Sequence, residues 1–152
     1  FEIKDFGTGL APGDVISLYM DYGMSNKTHT NALIGGFGLG SKAPFCYTDS
    51  FTVTSRWNGT AYTFSSFLKQ DGAPACTKIG EQPTDSPNGL TVYVPIETDA
   101  GVTARFKDAL FKLYPAFETE PVVTGIDDSD VERFKTDADR STTVEINDGG
   151  IH

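Results

Sequence analysis

Two glycine-bearing stretches hold the residues best suited to ligand chemistry. The first is Asp5-Phe6-Gly7-Thr8-Gly9-Leu10, a carboxylate followed by two glycines one residue apart. Such a pattern makes a tight turn with an acid at its mouth. The second is Ile34-Gly35-Gly36-Phe37-Gly38-Leu39-Gly40-Ser41-Lys42, with four glycines inside six residues. Glycines at that density take positive φ and let bare backbone approach a ligand. The amides from Phe37 through Gly38, Leu39 and Gly40 to Ser41 are followed by a short helix, expected over 41–47, and by Lys42. Together they form a cradle for phosphate. The apolar Ile34, Phe37 and Leu39 interleaved with the glycines distinguish the run from a flexible linker.

The elements that must position these loops follow from periodicity. Residues 1–4 read as a short strand leading into the first loop. Pro12 sits at a first helical position, and Val15, Ile16, Tyr19 and Met20 give an amphipathic helix that Gly23 ends. Val15, Phe51 and Val53 are expected in the core rather than at a site. Residues 23–33 are small, polar and aperiodic, as suits a mobile lid. From residue 50 to 96 the period becomes two, with Phe51 and Val53 alternating with Thr52 and Thr54. Trp57-Asn58-Gly59 signals a hairpin, 61–68 the returning strand, Asp71-Gly72 a turn and 75–79 a third strand. A loop is expected over 80–89, then a strand over 90–96 with Pro95 at its end or on an edge. This describes an antiparallel meander of about four strands. Asp99 can cap a helix reaching about residue 114, with Val102, Phe106, Ala109, Leu110 and Leu113 on one face. Beyond residue 117 the chain turns acidic, with strand-like pieces at 122–126 and 143–146. The expected division is therefore 1–117 and 118–152.

Bulk properties narrow the function class. The chain has 152 residues, 38% hydrophobic and 12% aromatic, enough for a core of ordinary size. Its formal net charge of −9 comes with no clustered basic patch, which argues against a nucleic-acid reader. Cys46 and Cys76 are not at metal-ligand spacing and are expected as free thiols in a reducing cytoplasm. His29 alone among internal residues is a histidine, so a histidine-based metal site or triad has little to build on. No stretch resembles a signal peptide or a membrane span. The chain begins with Phe1 in a strand-like segment, as a fragment or a trimmed product would.

Several nucleotide motifs compete for the glycine run. A Walker A loop needs glycine directly before its lysine, whereas Ser41 separates Gly40 from Lys42. Gly38-Leu39-Gly40-Ser41-Lys42-Ala43 fits the dinucleotide pattern G-x-G-x-x-A, but Pro44 and the hairpins after it do not suit a βαβ unit. Asp5-Phe6-Gly7 spells the kinase metal-binding triplet, yet here the glycine loop follows it rather than preceding it.

The order of parts is an Asp-x-Gly-x-Gly turn, a helix, a small-residue lid, a second glycine box opening a helix, and an antiparallel sheet. That order resembles the GHKL superfamily of ATP-binding domains. Asp5-Phe6-Gly7-Thr8-Gly9-Leu10 looks like its first glycine box and Ile34-Gly35-Gly36-Phe37-Gly38-Leu39-Gly40 like its second. Within it, Tyr22-Gly23-Met24-Ser25-Asn26-Lys27, Gly38-Leu39-Gly40-Ser41-Lys42-Ala43-Pro44-Phe45 and Tyr47-Thr48-Asp49-Ser50-Phe51 resemble the rIIA-type proteins of T-even-like bacteriophages. The resemblance covers residues 1–96. It implies an α+β fold, a two-layer α/β sandwich whose antiparallel-rich mixed sheet carries helices on one face, here lacking its N-terminal part.

The resemblance also implies ATP as ligand, with magnesium. A buried carboxylate at Asp5 accepts from the exocyclic amine of adenine, which separates ATP from GTP. Gly7 and Gly9 let the base lie on bare backbone, and Leu10 supplies an apolar wall. Gly36, Phe37, Gly38, Leu39, Gly40 and Ser41 hold the phosphates, with charge-assisted contacts from Lys42 and from Ser25 and Lys27 of the lid. The superfamily's Gly-Thr pair has Gly89-Leu90-Thr91 as counterpart, with threonine one place late; a one-residue slip turns a strand side chain to the other face, and Thr91 is expected as a base-binding residue that reaches the base through water. The superfamily's general-base glutamate and magnesium-holding asparagine lie upstream of the first box, and this chain starts four residues before it. Slow hydrolysis is thus expected of a longer parent, and weak nucleotide binding of this chain alone. The implied setting is the cytoplasm of an infected bacterium, peripheral to the inner membrane, with a phage or host protein as partner. The competing expectation is a non-catalytic protein-interaction module that keeps the fold.

Overall fold

The computed structural model describes residues 1–20, 40–97, 99–113, 121–127, 129–130 and 132. Their elements in chain order are β1 (Glu2–Asp5), α1 (Pro12–Met20), a 3₁₀ helix (Gly40–Cys46), β2 (Ser50–Trp57), β3 (Thr60–Leu68), β4 (Pro74–Pro83), β5 (Gly89–Tyr93) and α2 (Ala100–Leu113). The strands form one sheet in the order β1-β5-β2-β3-β4, and each neighbouring pair is antiparallel.

Alternation fixes which face is covered. Phe51, Val53 and Ser55 of β2 are buried, while Thr52 and Thr54 between them are only half-buried. The β2–β3 hairpin closes with Asn58 at φ 50° and Gly59 at φ 74°, the two positive values that a type I′ turn needs. α1 begins at Pro12, where a missing N–H costs nothing. It delivers Val15 and Tyr19 onto the covered face, where they join Phe51, Val53, Phe64, Cys76 and Val94. Phe51 is the hub: its ring lies 5.8 Å from that of Tyr19 and 5.0 Å, edge-on, from that of Phe45. One side chain of the sheet thereby seats both α1 and the 3₁₀ helix. The result is the expected α+β sandwich, with a helix packed on one face of the sheet.

Two expectations about the strands need correction. The last strand does not continue a meander beyond β4; β5 returns to lie between β1 and β2. It carries the half-buried Leu90 and Val92, with the buried Val94 just beyond it, and these need a central position. β4 also runs on to Pro83 through residues 80–83, which the sequence suggests are loop. Residues 77–83 are all exposed, so no burial period marks them, and the pairing is offset by an irregularity between Thr63 and Phe64. β4 is an edge strand, where Pro83 costs no ladder bond.

The chain divides into two compact units, Phe1–Ile96 and Glu97–His152. The expected boundary at 117–118 falls inside the second. There Asp99 caps α2, its Oδ1 accepting from the Val102 amide at 2.8 Å. Val102, Phe106 and Leu110 are half-buried, whereas Ala109 and Leu113 are exposed. Lys107 of α2 donates to Asp130 at 2.7 Å. Residues 121–127 form no strand, and 143–146 lie outside the described residues.

Candidate functional site

The first glycine loop crosses the end of the sheet. It leaves β1 at Asp5, passes the start of β5 at Gly89, touches β2 at Arg56 and is pinned at Leu10 before α1 begins. Gly89 sits so close to the Asp5 carbonyl that a β-carbon there would overlap it, and its φ of 150° suits glycine. Gly9, at φ 70°, lies equally close to the carbonyl of Arg56. The pin is Ser55, fully buried on β2. Its Oγ accepts from the Leu10 amide and donates to the Leu10 carbonyl, both at 2.8 Å.

Asp5 is exposed rather than buried, because it ends an edge strand with a neighbour on one side only. Its Oδ1 accepts from the Gly7 amide at 2.7 Å, which shapes the turn. The register places Asp5 opposite Leu90, and Leu90 opposite Ser55, so these three share the covered face. Gly7 is exposed and Leu10 half-buried against the core. An acceptor, bare backbone and two apolar walls, Leu10 and Leu90, thus stand together at one end of the sheet. That set offers a hydrogen-bond acceptor beside bare backbone and apolar surface.

Thr91 does not join them. It pairs with Lys4 on one side and Thr54 on the other, which puts it on the opposite face from Asp5. There its Oγ1 accepts from Arg56 Nη1 at 2.9 Å, while Arg56 Nε donates to the Pro87 carbonyl at 3.0 Å. Thr91 is therefore corrected from a base-binding residue to an anchor for the loop before β5. Leu90 is the β5 residue that faces Asp5.

Of the second box, Gly40, Ser41 and Lys42 lie among the described residues; Ser25, Lys27, Gly36, Phe37, Gly38 and Leu39 lie outside them. The segment from Gly40 is a 3₁₀ helix of seven residues rather than an α-helix. Lys42 is buried and donates through Nζ to the carbonyl of Leu18 and, at 3.1 Å, to Ser41 Oγ. Ser41 Oγ in turn donates to the same Leu18 carbonyl at 3.0 Å. Leu18 belongs to the last described turn of α1. The described hydrogen bonds of both side chains thus run to the Leu18 carbonyl and to each other, whereas the rest of the glycine box expected to hold phosphate with them lies outside the described residues.

Ser55 and Leu90 are the site residues that motif reading passes over. A signal for Ser55 existed: it falls on the parity of Phe51 and Val53, and a hydroxyl on a buried face requires partners. Among the described residues no three His, Cys, Asp or Glu side chains come together to hold a metal.

No protein-family model matches the chain, and no curated protein matches it. Among solved structures it is similar to the ATPase region of Saccharomyces cerevisiae topoisomerase II, with a TM-score of 0.55 at 13% identity. The match covers 90% of this chain and 43% of that one, so the chain spans less than half the length of its structural neighbour. The likeness is one of fold: an α+β sandwich like that of this ATPase region, here with an Asp-x-Gly-x-Gly loop laid across one end of the sheet.

Proposed function

We propose that the chain is an ATP-binding module, with the base held at the Asp5 loop and the phosphates at the second glycine box. The observation that carries this reading is the grouping of Asp5, Gly7, Leu10 and Leu90 at one end of a sheet whose fold is that of an ATPase region. Asp5 accepts from the exocyclic amine, Gly7 leaves room for the ring, and the two leucines flank it. Magnesium would accompany the triphosphate, and no step is assigned to it on the described residues.

The finer reading is an rIIA-like phage protein whose longer parent hydrolyses ATP slowly, working in the host cytoplasm near the inner membrane beside a phage or host partner. The wording of residues 22–27 and 38–51 supports it. Among the described residues no helix is long and apolar enough to cross a membrane.

Thermal unfolding with ATP and magnesium tests the binding reading. A ligand that binds only the native state raises its stability by RT ln(1 + [L]/Kd). The wild type is expected to shift upward by several degrees, and Asp5→Asn, which places an amide where an acceptor is needed, to lose the shift. A flat wild-type response would favour the interaction module that keeps the fold without the ligand.

A further inference from the structure

We propose that Ser55 is a positioning residue for the base-binding end of the site and sets its preference for adenine; this rests on the nucleotide reading above. Ser55 does not reach the ligand position itself. Its hydroxyl satisfies both polar groups of the Leu10 backbone, each at 2.8 Å, from a position with no solvent exposure. A single side chain thus holds the far end of a loop whose near end is Asp5.

The geometry makes that hold matter for the base. Asp5, Leu90 and Ser55 follow one another across β1, β5 and β2 on the same face. The loop spans that same distance, with Gly7 tied to Asp5 at one end and Leu10 tied to Ser55 at the other. The separation between the Asp5 carboxylate and the Leu10 wall is therefore set by where Ser55 pins the chain. Without the hydroxyl, the Leu10 amide and carbonyl lose this partner and must turn to water. The loop lifts from β2, and the wall moves relative to the acceptor. A site that recognises an exocyclic amine by position discriminates poorly once the position is loose. Contacts to the phosphates come from another segment and are not expected to change.

The test compares ATP and GTP binding, with magnesium, by calorimetry well below the melting transition, for wild type, Ser55→Ala and Ser55→Thr. Circular dichroism checks that each is folded. Ser55→Ala is expected to weaken ATP roughly tenfold with little change for GTP, on the scale of one lost hydrogen bond. Ser55→Thr, which keeps the hydroxyl, is expected to restore the ATP preference. Should Ser55→Ala not fold, Ser55→Cys carries the same comparison with a weaker donor and acceptor, and an intermediate loss is expected. A variant that melts lower yet keeps the wild-type ATP affinity and ATP:GTP ratio would reduce Ser55 to a structural role and overturn the proposal. A wild type that binds neither nucleotide removes the nucleotide reading, and the proposal falls with it.

Discussion

Gly9 presses its Cα face against the carbonyl oxygen of Arg56, and a β-carbon at Gly9 would occupy the space that oxygen fills. This contact between a loop and the neighbouring strand's backbone explains why the second glycine of Asp-x-Gly-x-Gly must be glycine. It takes positive φ and meets backbone, which cannot swing aside as a flexible side chain would.

Gly9→Ala is therefore expected to cost more than about 3 kcal/mol, from left-handed strain together with displacement of β2. Gly13 is its control. It lies in the first turn of α1 with nothing within 4 Å of where a β-carbon would stand, so Gly13→Ala should stabilise by about 0.4–1 kcal/mol. Urea unfolding of the two variants beside wild type reads both signs, and similar midpoints for the pair would contradict the loop packing.

Phe51 carries a larger share of the first unit, because it meets Tyr19 of α1 and Phe45 of the 3₁₀ helix at once. Phe51→Ala is expected to cost about 3–5 kcal/mol, comparable to the whole stability of many small domains. Phe51→Leu keeps most of the volume and should cost about 1–2 kcal/mol. Thermal melts rank them, and a mild Phe51→Ala would mean the two helical pieces are held by something else.

Lys42 offers a sharper contrast between two roles. Its ammonium group lies on the Leu18 carbonyl in the last described turn of α1. Lys42→Met keeps the apolar stem and removes the charge, so ligand-free stability should fall by about 1–2 kcal/mol. A ligand-free urea midpoint equal to wild type, with weakened ATP binding, would return Lys42 to the phosphates.

The contrast between what the chain announced and what it concealed has a physical cause. β2 and β3 were legible because one face is buried and the other is not, so Phe51 and Val53 alternate with threonines. The Asn58-Gly59 turn was legible because few residues take its two positive φ values. The distal half of β4 was not, since a strand exposed on both faces has no burial period. The place of β5 was hidden as well: strand order depends on which pairs bury most, a property of distant segments. Lys42 beside a glycine run suggests phosphate, and only the fold shows a carbonyl 24 positions earlier within its reach. Thr91 was betrayed by its one-residue offset, which the register with Lys4 and Thr54 bears out.

The two thiols should separate by reactivity and by pH. Cys46 is exposed and Cys76 is buried. Burial pushes the Cys76 thiol up from 9.0 to about 11, and burial likewise raises the Tyr19 phenol, with Cys76 adding to it. Titration with a thiol reagent at pH 8 is expected to modify one cysteine rapidly and the second only on unfolding. The pH dependence follows from linkage. Between pH 9 and about 11 the unfolded chain releases the Cys76 proton while the native one keeps it, so the unfolded state binds fewer protons and stability falls as pH rises. The contribution is fully present below pH 9 and is lost as pH climbs through the native value. Cys76→Ala should flatten this part of the decline in urea midpoint across that window, whereas Cys46→Ala should leave it in place. An unchanged slope in Cys76→Ala, or two equally fast thiols in the native protein, would place Cys76 in water rather than in the core beside Tyr19.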